Sequence, residues 1–123
     1  MSELTEMEEK KLIKYYYFLM GDGRFLNILH HYSIEWGFGD EYGRYVFASI
    51  YEDWEEDYFG TEGVRYYLDY PAVEKDTEIT LDYETFYRYL IEDCEEYLQK
   101  RPKDREWVTE YLQMIREKFK IKG

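Results

Sequence analysis

Two histidines, one cysteine and 28 acids are the residues of this 123-residue chain whose types could do chemistry. The histidines are adjacent, His30 and His31. Neighbours on a helix point about 100° apart, so the two make a poor bidentate metal pair, and no His-x-x-x-His or Cys-x-x-Cys spacing is present. Cys94 falls on an apolar helical stripe, where a thiol is buried and inert. A nucleophile would also want a strained elbow or a glycine-rich oxyanion loop, and neither is there. With so many acids, any two could be named a general acid and base, so their pairing carries no signal. A hydrolase built on acids alone would need a buried carboxylate in a deep pocket. The GDG at 21–23 and GFG at 37–39 match no phosphate-cradling loop. Residues 52–57 miss the EF-hand alternation of ligands, because Trp54 interrupts it. No catalytic residue, cofactor or metal is expected.

What remains is recognition. The stretch EDWEED, Glu52 to Asp57, is five acids around one tryptophan, followed by Tyr58 and Phe59. Like charges repel, so such a cluster is either well solvated or matched to a positive partner. Aromatic side chains supply anchors and acids supply steering and charge-assisted hydrogen bonds. The candidate partner-binding residues are Asp40, Glu41, Glu52, Asp53, Trp54, Glu55, Glu56, Asp57, Tyr58 and Phe59, with Trp36 and Phe38 as further loop aromatics. The competing expectation is structural: Trp54 and Phe59 tuck into the core and the acids stay solvated.

The net charge of −12 opposes direct binding to nucleic acid or to an anionic membrane. Its distribution says more. Residues 35–96 hold 19 acids and 4 bases, whereas residues 97–123 hold 4 acids and 8 bases. A negative field centred on the middle of the chain steers a basic partner. One cysteine permits no internal disulfide, which favours a reducing compartment. The start of the chain, MSELTEMEEKK, lacks the apolar stretch of a signal peptide, and the apolar run YYYFLM is too short to cross a bilayer. A soluble cytoplasmic protein is expected.

These residues must be positioned by a single domain, given the length. Leu4, Leu12, Tyr15, Tyr16 and Leu19 predict a helix over residues 3–20, capped by Thr5 with Glu8, or by Ser2. The GDG stops it. FLNILHHY predicts a second helix over 25–32, and residues 33–43 read as a loop. RYVFASIYEDW, 44–54, predicts a strand with Val46, Ala48, Ile50 and Trp54 on one face. Residues 63–70 alternate as a half-buried strand, with Val64, Tyr66, Leu68 and Tyr70 opposite Arg65, Tyr67 and Asp69. A short third strand follows at 78–81. EDWEED then belongs to the end of the first strand and its connection to the second. Asp82 predicts an N-cap for a helix with the stripe Tyr83, Phe86, Tyr87, Leu90, Cys94, Tyr97 and Leu98, ending before Pro102. A last helix, 104–119, carries Trp107 or Val108, Tyr111, Leu112, Ile115 and Phe119 inward. The order α-α-β-β-β-α-α is α+β, with helices covering one face of a small antiparallel sheet.

Over residues 62–121 these patterns take a familiar form. EGVRYYLDYP (62–71), ETFYRYLIEDCEEYLQKRP (84–102) and IREKFKI (115–121) resemble the immunity proteins of bacterial contact-dependent growth inhibition systems, of the kind paired with ribonuclease toxins. The resemblance spans about half the chain, and residues 1–44 contribute nothing to it. It implies a non-enzymatic inhibitor that binds a delivered toxin domain in the cytoplasm. The residues agree from their own side: a ribonuclease cleft is basic because it holds polyphosphate, and an acidic, aromatic surface can occupy it as a decoy for RNA. A general acidic interaction module, or a nucleic-acid mimic unrelated to toxins, stays as the alternative. A monomer is favoured, the oligomeric state being otherwise open.

Overall fold

Thr5 starts the first helix in the computed structural model of the chain, which describes residues 4–122 apart from the side chain of Asp22. Its hydroxyl accepts the Glu8 N–H at 3.1 Å, and the Glu8 carboxylate accepts the Thr5 N–H at 2.9 Å. This reciprocal box satisfies two amides that a helix start leaves orphaned. Ser2, the rival cap, lies outside the described residues. Helix α1 (Glu6–Met20) ends where Gly21 takes φ 98° and donates back to the carbonyls of Tyr17 and Phe18. Helix α2 (Phe25–Ser33) follows a single 3-10 turn. Four strands come next, β1 (Phe38–Gly39), β2 (Gly43–Phe47), β3 (Val64–Leu68) and β4 (Thr77–Leu81). Asp82 then accepts the Thr85 N–H at 2.8 Å and opens α3 (Tyr83–Lys100). A 3-10 turn at Pro102–Asp104 leads into α4 (Arg105–Lys118).

The fold is α+β, with the sheet in order β1-β2-β3-β4 and every neighbour antiparallel. Phe38, Tyr45, Tyr66 and Ile79 are successive cross-strand partners, and this row defines the inner face. Tyr16 of α1 lies edge-on to Tyr45 and Tyr66, Tyr32 of α2 packs on Tyr45, and Phe86 of α3 meets Phe47. Three tyrosine hydroxyls form a chain inside this layer, Tyr17 to Tyr32 to Tyr66, with both links 2.7 Å. Burial pushes the ionisation of all three far above the ordinary phenol range, so they persist as neutral donors and acceptors. Each buried hydroxyl is thereby matched, and no buried side-chain polar atom lacks a partner among the described residues. No helix among the described residues is long and apolar enough to cross a membrane.

The structure departs from the sequence expectation at residues 33–43, in strand β2 and at Tyr70. Residues 33–43 are not all loop, since they include the two-residue strand β1. Its pairing with β2 requires Gly39 at φ 151°, where a Cβ would sit 2.3 Å from the Gly43 carbonyl oxygen, so the glycine that read as loop is what lets the backbones approach. Strand β2 stops at Phe47 rather than at Trp54, because the chain turns into a 3-10 turn at Ala48–Ile50. Its inward residues are Gly43, Tyr45 and Phe47, the opposite parity to the expected Val46, Ile50 and Trp54, although Ala48 is buried. Tyr70 lies beyond the end of β3 and is exposed. On α4, where the expectation left Trp107 or Val108 open, it is Val108 that packs inward, and Trp107 is exposed.

Candidate recognition surface

Between β2 and β3 the chain makes an excursion that returns across the outer face of the sheet. Its base is closed by the Ala48 N–H donating to the Gly63 carbonyl at 3.0 Å. Gly63 sits at φ 125°, and a Cβ there would lie 2.9 Å from the Leu81 carbonyl oxygen. The outer face presents Arg44, Val46, Arg65, Tyr67, Glu78 and Thr80, the residues alternating with the inward ones. Arg65 holds the loop to this face. Its guanidinium lies 4.2 Å over the Phe59 ring, its Nη1 donates to the Asp57 carbonyl at 3.2 Å, and its Nε donates to Thr80 Oγ1 at 2.8 Å. At the other flank Tyr51 and Tyr67 share a hydroxyl hydrogen bond of 3.2 Å. Burial, then that bond, pushes the Tyr51 phenol up to about 12. Arg44 stacks on the Tyr67 ring at 4.5 Å and pairs with Asp69 at 3.0 Å.

Within this frame the acidic stretch is wound into two tight turns. The Glu55 N–H donates to the Glu52 carbonyl, the Tyr58 N–H to the Glu55 carbonyl, and the Glu55 carboxylate accepts the Glu52 N–H. The turns throw Trp54 outward, 79% exposed, while Phe59 and Tyr58 are half-buried. Of the candidate aromatics, then, Trp54 is free to contact a partner and Phe59 is held by Arg65. Glu52, Asp53, Glu56 and Asp57 are exposed. Among the described residues none of the five acids of this loop is in a salt bridge.

Helix α3 makes the contrast. Four of its five acids are already matched: Glu92 to Lys10 at 3.0 Å, Asp93 and Glu96 to Lys14 at 2.7 Å each, and Glu95 to Arg105 at 3.8 Å. Burial raises the Asp93 carboxyl above its usual range despite the lysine beside it. The two clusters look alike in sequence and differ in what surrounds them.

Asp40 and Glu41 are not part of the loop cluster. They sit in the β1–β2 turn, at the far end of β2, roughly 15 Å away along the strand at ~3.4 Å per residue. Asp40 Oδ1 accepts the N–H groups of Tyr42 and Gly43 at 2.9 and 3.1 Å and so shapes that turn. Phe38 is half-buried against His31, with ring centroids 4.9 Å apart. Trp36 is 63% exposed and stands at the root of the acidic loop, near Ile50. The residues that sequence reasoning missed are Arg65 and Tyr51. Arg65 had a signal: it is an outward position on β3, one of few cations in an acidic stretch, and therefore a natural tether.

His30 and His31 lie edge-on to each other at 5.8 Å, and no group of three metal-ligating side chains converges among the described residues. The Cys94 thiol is buried, and desolvation followed by the nearby Asp93 charge pushes its ionisation far up. The surface is suited to binding through charge and an exposed indole.

No curated protein and no solved structure matches the chain. A protein-family model does, over residues 9–112, from α1 into α4, and so takes in the two N-terminal helices that the motif resemblance left out. The match covers most of the chain, which therefore belongs to the CDI immunity protein family, the immunity proteins of contact-dependent growth inhibition.

Proposed function

We propose that the protein neutralises a basic nuclease toxin domain, a ribonuclease, in the cytoplasm by laying its acidic loop in the toxin's RNA-binding cleft. The family implies a cognate toxin and its neutralisation; the nuclease and the mode of binding are the proposal. The observation that carries it is the set of five loop acids that form no salt bridge among the described residues, displayed around an exposed Trp54, whereas four acids of α3 are paired with cations of their own chain. Clustered, solvated acids of this kind set up a negative field that draws in a basic partner, and a nuclease cleft is basic. Trp54 stacks where a base would lie. Because unbound toxin is lethal, the complex has a dissociation constant of the order of nanomolar or tighter, as DNase–immunity pairs do.

A pull-down with the toxin domain encoded beside the gene, at low and high salt and with RNA cleavage assayed in parallel, tests this. The expected result is salt-sensitive binding that abolishes cleavage. Reversal of Glu55, Glu56 and Asp57 to lysine together with Trp54→Ala then removes both binding and protection of toxin-expressing cells. Full protection by that variant would sink the proposal. Binding without loss of cleavage would move the protein to the general acidic module.

A further inference from the structure

A cleft of about 270 Å³ opens at the root of the acidic loop, lined by Glu35, Trp36, Gly37, Phe47, Ser49 and Ile50. Its floor is the core residue Phe47, and its rims are Trp36 and Ile50, which are 63% and 62% exposed. We infer that this cleft receives one arginine side chain of the toxin, its guanidinium stacked on the Trp36 indole and paired with the Glu35 carboxylate. The inference rests on the toxin-binding reading above and gives it a second anchor besides Trp54.

Three observations support an arginine in particular. First, Glu35 is aimed and held. It sits at φ 60°, just past the end of α2, in the left-handed position that glycine usually fills. A glutamate is strained there relative to glycine, and its side chain supplies a carboxylate at the cleft. Ser49 Oγ donates to Glu35 Oε2 and fixes the side chain. Second, the other oxygen, Oε1, already attracts a cation: Lys118 Nζ stands 4.0 Å away, at the limit of an ion pair, on a side chain that is 46% exposed. A guanidinium reaching the same oxygen more closely displaces this weakly held lysine ammonium. Third, a carboxylate next to an exposed indole matches the planar, stacking, always-charged guanidinium better than any other side chain. The cleft also continues directly into the acidic loop, since Ile50 precedes Glu52 by two residues, so one basic surface can engage both.

The test is binding of the same toxin domain to four single variants, with thermal melting of each as a folding control. Glu35→Gln and Trp36→Leu each weaken binding on the order of tenfold, Trp36→Phe keeps most of the affinity, and Lys118→Ala binds at least as tightly as the parent. Trp36→Leu keeps apolar area and loses the π face, so parental affinity in that variant overturns the stacked cation. Parental affinity in Glu35→Gln overturns the pairing. If both are neutral while the loop charge reversal abolishes binding, the cleft lies outside the interface and the toxin-binding reading stands. If the unmutated protein does not bind, both fall together.

Discussion

Replacing Arg65 separates two ideas that ordinarily point the same way, loop order and negative charge. Arg65 makes two hydrogen bonds and one cation–π contact to the returning loop and its neighbour strand. At partly exposed sites such hydrogen bonds are worth roughly 0.5–1 kcal/mol each, and the stacked ring about as much. Two of these three contacts, to the Asp57 carbonyl and the Phe59 ring, reach the loop, so Arg65→Met removes about 1–2 kcal/mol of loop anchoring, keeps an unbranched side chain on Phe59, and makes the protein more negative by one charge. If negative charge alone drives recognition, this variant binds a basic toxin more tightly. If the acids act because they are held in one arrangement, it binds more weakly, since ordering the loop is then charged to the binding step. We expect the second result, a loss of roughly tenfold or more in affinity. Amide exchange across residues 51–59 should accelerate by a similar factor, and global stability in urea should fall by only about 1 kcal/mol, because much of the loss appears as local opening. Arg65→Lys restores the charge without the planar fork and should resemble the methionine variant. The reasoning is refuted if Arg65→Met opens the loop by exchange and still binds as tightly as the parent or tighter.

The remaining predictions concern the scaffold. Tyr32→Phe leaves the Tyr17 and Tyr66 hydroxyls buried without their shared partner and should cost about 2–4 kcal/mol in urea unfolding, whereas Tyr66→Phe leaves the Tyr17–Tyr32 bond intact and should cost about 1 kcal/mol. Asp82→Ala removes the cap of α3 and should cost about 1 kcal/mol at pH 7. The Thr85 N–H holds the Asp82 carboxyl below its usual range, so its contribution is present above the unfolded-state value and is lost as pH falls through the folded one. The stability gap between parent and variant should accordingly close on acidification, which urea titrations from pH 7 down to about 3 would show. Cys94 should resist a thiol reagent in the native protein and react fully in denaturant, because it is buried and its thiolate is disfavoured.

Much of the scaffold was legible because its determinants are local. The Thr5–Glu8 box, the Asp82 cap and the α3 stripe act within a few residues, and each falls where its spacing places it. Strand β3 was legible for the same reason, a clean alternation. Strand β2 was not. Val46, Ala48 and Ile50 alternate as well as Tyr45 and Phe47 do, and the choice between parities was made by cross-strand partners that no local pattern encodes. The two-residue β1 was hidden because its pairing depends on a glycine that sequence reading treats as a break. At the candidate site the acids and Trp54 were legible from composition, but the division between anchored and free aromatics was not. That division follows from Arg65, whose partners lie 8 and 15 residues away.

The difference between the two acidic clusters is the strongest constraint on how the surface works. On α3, the four acids Glu92, Asp93, Glu95 and Glu96 have first to leave a lysine or arginine of their own chain before a partner can use them, and Glu84 alone among its described acids is in no salt bridge. Exposed pairs of this kind contribute little to stability, yet they cancel charge locally and so weaken the field a partner meets. The loop does the reverse. Its acids repel one another, and the loop is kept compact by contacts that involve backbone and rings rather than the carboxylates: the Asp57 carbonyl, the Phe59 ring and the Tyr51 hydroxyl. Among the described residues of the loop, only Glu55 turns its carboxylate inward, to the Glu52 amide. Tethering through the backbone leaves the charged groups available, which is the arrangement a polyanion mimic needs and a merely soluble surface does not. If the loop meets the toxin as proposed, evolutionary freedom lies in the carboxylates and Trp54, which can change with the toxin, while Arg65, Phe59 and Tyr51 keep the platform.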